Sequence, residues 1–406
     1  MNKIIDFVKN KRINAEKGIM VFSFIQRLLL NTGISIIGPI IPLIAFELKV
    51  GLDYMGGILS IGAFVLLVTS ICTGFLLELF GFKKIILSGV LLYILGCLGL
   101  FFSYSFITFT VSYIFIQLGS GIIAISTISL IGTHYFKNKS KNILVSNIGL
   151  TIGSVVAPLL VSLVLSINIR WQILFIYILI PQIILILLLI FLKIPKKDGP
   201  VKNFKSLFNT NKNVASHPYI ILCGIVVFLY ISTTQTFYTW FTSYFSALDI
   251  KLGVSSLILA IYATALLVGM FVKNYMVKYI EEKKLLLASI SLAFIFLLLA
   301  FLVQNMVAKS ILIFLFGINI AGNFSLTFSM GLNIGSQFTN IITSIMHASS
   351  NLGVIVFQYL SGYLSEHFSK NSVLYIDLAL LLILIVIIAF MNKRELRYLS
   401  RNINTV

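Results

Sequence analysis

Apolar runs of about twenty to thirty residues alternate with short polar stretches along almost the whole chain. A run that long, apolar on every face and without strand-like alternation, is a helix that crosses a bilayer core of about 30 Å. Twelve such spans are predicted, at roughly 18–46, 54–77, 84–104, 107–133, 143–166, 171–192, 218–246, 254–277, 285–304, 309–335, 341–365 and 372–391. The one long polar interruption, 193–217, carries Lys193, Lys196, Lys197, Lys202, Lys205 and Lys212 with Pro195, Gly199 and Pro200. It divides the pattern into a tail over 1–17, six spans over 18–192, the linker, six spans over 218–391 and a tail over 392–406. The linker reads as cytoplasmic, either disordered or with a short amphipathic helix on the membrane surface.

Composition supports the bilayer as solvent. Of 406 residues, 59% are hydrophobic and 10% charged, against about 25% charged in a soluble domain. The net charge of +18 invites a nucleic-acid reading, but the lysines sit in small clusters between apolar runs and form no single basic face. Of the 30 Lys and Arg, five (Lys49, Arg170, Lys251, Lys309, Lys370) fall on one side of the predicted membrane and two (Arg27, Lys273) within spans. The other 23 fall on the opposite side. By the positive-inside rule that side is the cytoplasm, and both termini lie there. The expectation is therefore a multi-pass protein of the cytoplasmic membrane, with the lipid bilayer as partner and no nucleic acid. The basic start leads into an apolar run too long for a signal-peptide core, so a retained first helix is expected. Cys72, Cys97 and Cys223 all fall in apolar runs and read as small buried hydrophobes.

The two halves repeat. Ala45–Asp53 (AFELKVGLD) matches Ala247–Ser255 (ALDIKLGVS) at an offset of 202, and Gly81–Leu87 matches Glu281–Leu287 at an offset of 200. Gly153 then falls opposite Gly353. Two parallel six-helix repeats place a substrate site near the bilayer midplane. The turn Gly74–Lys84 (GFLLELFGFKK) joins the second and third spans. It resembles the cytoplasmic loop of the major facilitator superfamily, Gly-x-Leu-x-Asp-x-x-Gly-x-Lys/Arg-x, supplying Gly74, Leu76, Glu78, Gly81 and Lys83 with Lys84 beside it. Glu stands for the usual Asp, and Phe82 where Arg is frequent. The resemblance implies an all-α integral membrane fold of twelve transmembrane helices in two pseudo-symmetric six-helix bundles. It also implies that Glu78, with Gly74, Gly81, Lys83 and Lys84, latches the cytoplasmic side. Lys278 stands where the second copy would need its acid.

Candidate ligands follow from polar residues in apolar surroundings. Arg27 lies about 13 Å into the first span at 1.5 Å per residue. It is either an anion-binding charge in the transport path or a side chain reaching back to the headgroups. Lys273, near a span end, reads as the latter. Asn31, Gln117, Asn147, Gln235, Trp240, Asn319, Asn323, His347 and Asn351 fall in spans that line or flank the central cavity in the resembling family. Amides both donate and accept, which suits a polar solute; interhelical hydrogen bonding is the alternative. Asn319 and Asn323, like His347 and Asn351, are spaced to share a helix face. Gly149, Gly153 and Ala157 form a small-residue stripe for close packing. Ala157-Pro158 resembles in part the Gly-Pro motif of drug exporters, and Tyr135-Phe136, Gly153 and Trp171 resemble features of monocarboxylate transporters. Glu78 and Asp377 sit at span edges and no acid lies mid-span, which speaks against carboxylate-based proton coupling.

No phosphate loop or metal-ligand spacing is present in the sequence, so neither an enzyme nor a cofactor is expected. The reading is a monomeric secondary transporter, a permease working by alternating access on a small polar or anionic solute. A drug or metabolite exporter of the same fold, and a non-transporting receptor or scaffold, are the alternatives.

Overall fold

The computed structural model describes residues 2–134, 139–192, 217–332 and 339–391, and among them every regular element is a helix. The chain divides into two compact units, Met1–Val50 with Ile61–Val201, and Gly51–Ser60 with Lys202–Val406. Apart from His217, the predicted linker lies outside the described residues, as do the predicted tail 392–406 and Tyr135-Phe136.

In the first unit, α1 (Asn2–Ser35) already begins within the predicted tail, where no Gly or Pro precedes Gly18. The predicted first span is not one helix. It breaks at Ile36 and resumes as α2 (Ile37–Leu48), because Pro39 has no N–H for the Ser35 carbonyl and its ring would crowd it. α3 (Leu52–Phe80), α4 (Phe82–Phe101), α5 (Phe106–His134), α6 (Lys139–Ser166) and α7 (Ile173–Phe191) follow. α1 packs on α6, and α4 packs on α5 and α7. Exposed Ile61, Phe64, Val68, Ile71, Phe75 and Leu79 form one helical stripe on α3, a face suited to lipid. Cys72 is exposed on the same helix, so only Cys97 and Cys223 are buried as expected.

In the second unit, α8 (Pro218–Ser246), α9 (Leu252–Met276) and α10 (Glu282–Leu302) are followed by a divided tenth span, α11 (Met306–Ile320) and α12 (Asn323–Leu332). α13 (Thr339–His367) and α14 (Ser372–Phe390) complete the unit. α8 packs on α13 and α14, and α10 on α11 and α14, the same pairings as in the first unit. The start of α3 is clustered here too. Glu366 accepts the Leu52 backbone N–H at 2.8 Å, and His367 lies 3.7 Å from Asp53.

Among the described residues, eleven spans are long and apolar enough to cross a membrane, with α1–α2 and α11–α12 each counted as one. The predicted span over 341–365 is present as α13.

The repeat is exact in register. Helices start at Leu52 and Leu252, Phe82 and Glu282, Phe106 and Met306, and Lys139 and Thr339, each pair 200 apart. The Val50 N–H bonds the Ala45 carbonyl, as Ile250 does Phe245. The loop match therefore shifts from the predicted offset of 202 to 200, with Lys49 and Asp249 sharing a left-handed backbone (φ 53° and 57°). A Cβ on Gly153 would stand 2.6 Å from the Leu28 carbonyl oxygen, and one on Gly353 would stand 2.5 Å from that of Phe228. Both are close helix crossings that only glycine permits.

Candidate functional site

The first unit holds an unpaired cation. Arg27 is 4% exposed, which excludes the headgroup reading. Its Nη2 donates to Asn147 Oδ1 at 2.8 Å, its Nη1 lies 3.4 Å from the Ala124 carbonyl, and its Nε has no partner. Among the described residues no carboxylate pairs with it. One turn on, Asn31 Nδ2 donates to the Leu150 carbonyl and to Ser154 Oγ, both at 2.6 Å. Arg27 and Asn31 thus meet Asn147 and Ser154 on the α1–α6 crossing, which Gly149 and Gly153 bring close. Gln26 Nε2 donates to Gln182 Oε1 at 2.9 Å beside them. Gln117 stands apart, donating to the Tyr113 hydroxyl on its own helix.

The second unit divides its polar residues among separate clusters. Trp240 Nε1 donates to Gln358 Oε1 at 2.8 Å, and Gln358 Nε2 donates to Thr239 Oγ1 at 3.0 Å and lies 3.4 Å from the Gln235 carbonyl. Gln235 itself is exposed. Asn319 and Asn323 do not share a face, contrary to their spacing, because the helix is interrupted at Ala321–Gly322, where Gly322 takes φ 72°. Asn319 turns back on the Leu315 carbonyl at 2.9 Å, while Asn323 is buried. Lys273 is 5% exposed, so it does not reach for headgroups as expected. Its amine donates to the Asn319 carbonyl at 2.6 Å and to Asn323 Oδ1. His347 is exposed with its ring 5.6 Å from Phe324, and Asn351 donates to the His347 carbonyl at 2.8 Å.

Asp377 lies near the edge of its span, as expected, but does not face solvent. It is fully buried in the second turn of α14, bonded through Oδ1 to Thr236 at 2.6 Å, with Oδ2 unpartnered. Depth in a span did not reveal that the side chain faces α8.

At the turn, Gly81 takes φ 78°, which favours glycine, and starts α4. Glu78, Gly74 and Lys84 are exposed. Lys83 donates to the Ile190 carbonyl at 2.6 Å, at the C-terminal end of α7. Lys283 reaches the Met391 carbonyl after α14 in the same way. This duplicated helix cap gives the first lysine of each matched pair a structural reason.

Sequence reasoning missed Gln26, Gln182, Ser154, Gln358 and Thr236. Gln182 was legible as the lone amide in an otherwise apolar helix. Gln358 was not, because its partner Trp240 is 118 residues away.

Comparison with known proteins bears on the fold. Two curated relatives, each called protein TsgA homolog, come from Buchnera aphidicola, one from subsp. Schizaphis graminum and one from subsp. Baizongia pistaciae. Both are 22% identical, over 62% and 66% of this chain. The chain spans 64% of the first relative's length, just under two thirds, and 68% of the second. Among solved structures, the nucleoside transporter NupG (16% identity, 93% of this chain and 100% of that one) and a D-xylose-proton symporter (11%, 93% and 98%) both give a TM-score of 0.76. A bacterial homolog of the human lysosomal transporter Spinster gives 0.71 at 13% identity, over 96% of this chain and 97% of that one. At these identities the likeness shows the fold alone. The Major Facilitator Superfamily profile matches residues 23–341. With its helical repeat, membrane-length apolar spans and matching profile, the chain belongs to the Major Facilitator Superfamily, a family of transporters.

Proposed function

We propose that this chain is a secondary transporter that moves a small polar or anionic solute across the cytoplasmic membrane by rocker-switch alternating access. In this reading α13 is the eleventh of twelve spans, both termini are cytoplasmic, and residues 193–217 form the cytoplasmic linker. The protein works as a monomer. Glu78, with Gly74, Gly81 and Lys84, gates the cytoplasmic side, while Lys83 fixes the end of α7.

The observation that carries the solute class is Arg27. A guanidinium buried in a span is costly without a counter-charge, and this one has an amide partner, a free Nε and no carboxylate among the described residues. A solute anion would supply the missing charge, and Asn31, Asn147 and Ser154 offer polar groups beside it. Asp377 is held by Thr236 in the other unit and takes no part in that cluster. The reading therefore favours uptake or exchange over proton symport.

A thermal-shift screen of purified protein against organic anions, sugars, nucleosides and amino acids tests this. An anionic solute is expected to raise Tm in wild type and not in Arg27→Ala. Equal shifts in both proteins would remove Arg27 from the binding site.

A further inference from the structure

The break in the tenth span is built, with partners on both sides. α11 ends at Ile320, so its last carbonyls lose the N–H groups a continuous helix would give them. α9 receives them. Gly269 leaves room for the Ile318 carbonyl, which a Cβ there would approach to 2.4 Å. Lys273, one turn on and on the same face, donates to the Asn319 carbonyl at 2.6 Å and to Asn323 Oδ1. Its stem passes Gly322, with Cδ 3.4 Å from where a Cβ would stand. On the far side, α12 packs on α8. Ser289 on α10 adds a hydrogen bond to Asn323 Oδ1 at 3.1 Å. The amine therefore sits at the negative end of the α11 dipole, with two oxygen acceptors and no carboxylate among the described residues.

We infer that Lys273 is a positioning residue that keeps the tenth span broken at Ala321–Gly322, so that α11 and α12 work as two half-helices on a hinge. An unbroken helix would leave the Lys273 amine buried without the Asn319 carbonyl, a costly state in a membrane. Nothing but glycine adopts φ 72° at this position without strain. The hinge matters for the cycle only if the chain transports, so this inference rests on the transporter reading. The clamp itself can be tested without flux.

Hydrogen exchange on the full-length protein in nanodiscs reads the clamp directly. Lys273→Met is expected to raise exchange of the amides from Asn319 to Leu326 by about tenfold or more, with α4 and α5 unchanged, and Lys273→Arg to restore most of the protection. If Lys273→Met does not fold, Ser289→Ala and Gly322→Ala serve. The first should raise exchange over the same amides by a smaller factor, and the second should alter it because alanine resists the left-handed conformation. Exchange within twofold of wild type in every folded variant would overturn the clamp. Once a solute is found, Lys273→Met should lower kcat with KM nearly unchanged. A protein with wild-type exchange and no flux for any solute would fail the transporter reading. Altered exchange with unchanged kcat would leave a clamp that does not serve transport, and would overturn the positioning role.

Discussion

The fourth span of each half shows what the repeat conserved and what it changed. In the first unit α5 runs unbroken, and Ile122 and Ile123 pack on Gly89, where a Cβ would come within 2.6 Å of Ile122. Two hundred residues on, those positions are Gly322, Asn323 and Ser289, and Thr73 is replaced by Lys273. An apolar crossing has become a polar cluster around a broken helix. The first helices show the reverse. α8 is continuous, whereas α1 and α2 part before Pro39. Buried charge is divided in the same way, with Arg27 opposite Val227 and Asp377 only in the second unit. Register is shared because it is set by helix length and glycine crossings. Chemistry is free to diverge because the hydrogen bonds that each of these polar clusters makes lie within one unit.

The comparison can be broken first at what the halves share. Gly153→Leu and Gly353→Leu are both expected to cost more than about 3 kcal/mol, the upper end of overpacking, because each side chain would meet a backbone carbonyl. Loss of the monodisperse peak in size-exclusion chromatography checks this, and a tolerated leucine at either site would undo the claim of matched crossings.

Next comes what only one half has. Truncating Arg27 should weaken anion binding by about 2 kcal/mol or more, with Arg27→Lys intermediate because it keeps charge without the fork. Titration of the solute by thermal shift or scintillation proximity measures it. In the second unit, Asp377→Leu removes one hydrogen bond and should cost about 0.5–1.5 kcal/mol, since Thr236 keeps the Ser232 carbonyl as an acceptor at 2.7 Å, and Asp377→Asn distinctly less, read as Tm in detergent.

A smaller effect tests the duplicated cap. Lys83→Ala and Lys283→Ala should each cost about 0.5–1 kcal/mol, the scale of a cation at a helix C-terminus, and should do so equally. A clear inequality in Tm would mean that one lysine has another task. Smallest is the start of α8, where the His217 ring nitrogen Nδ1 accepts the Tyr219 N–H at 3.2 Å. Burial pulls the His217 imidazole below its ordinary value, so the folded protein favours the neutral cap. That contribution is present above about pH 6.5, the ordinary histidine value, and is lost as pH falls below it. His217→Asn keeps a capping side chain and should flatten the acid side of the Tm profile.

Much of this was legible in the sequence. The spans, the dividing linker region, the glycine turn and the repeat all follow from hydropathy and spacing. The break in the first span was also readable, since Pro39 and Pro42 announce it. The break in the tenth was not, because Gly322 is one glycine among many and the side chain that bonds to both sides of it, Lys273, lies far off in sequence. The orientation of Lys273 was misjudged and the burial of Asp377 missed for one reason. Distance from a span end gives depth, but which way a side chain points depends on the neighbour that receives it. Arg27 and Asn147 were both picked as polar residues in spans, but only packing of α1 on α6 joined them.

The most direct test is counterflow in proteoliposomes, using a solute found by the thermal-shift screen and no pH gradient. Wild-type protein is expected to exchange labelled for unlabelled anion, and Arg27→Ala, folded by the same chromatography, to fall to the empty-liposome rate. Flux that survives in Arg27→Ala, or that appears only with a proton gradient, would contradict the anion-exchange reading.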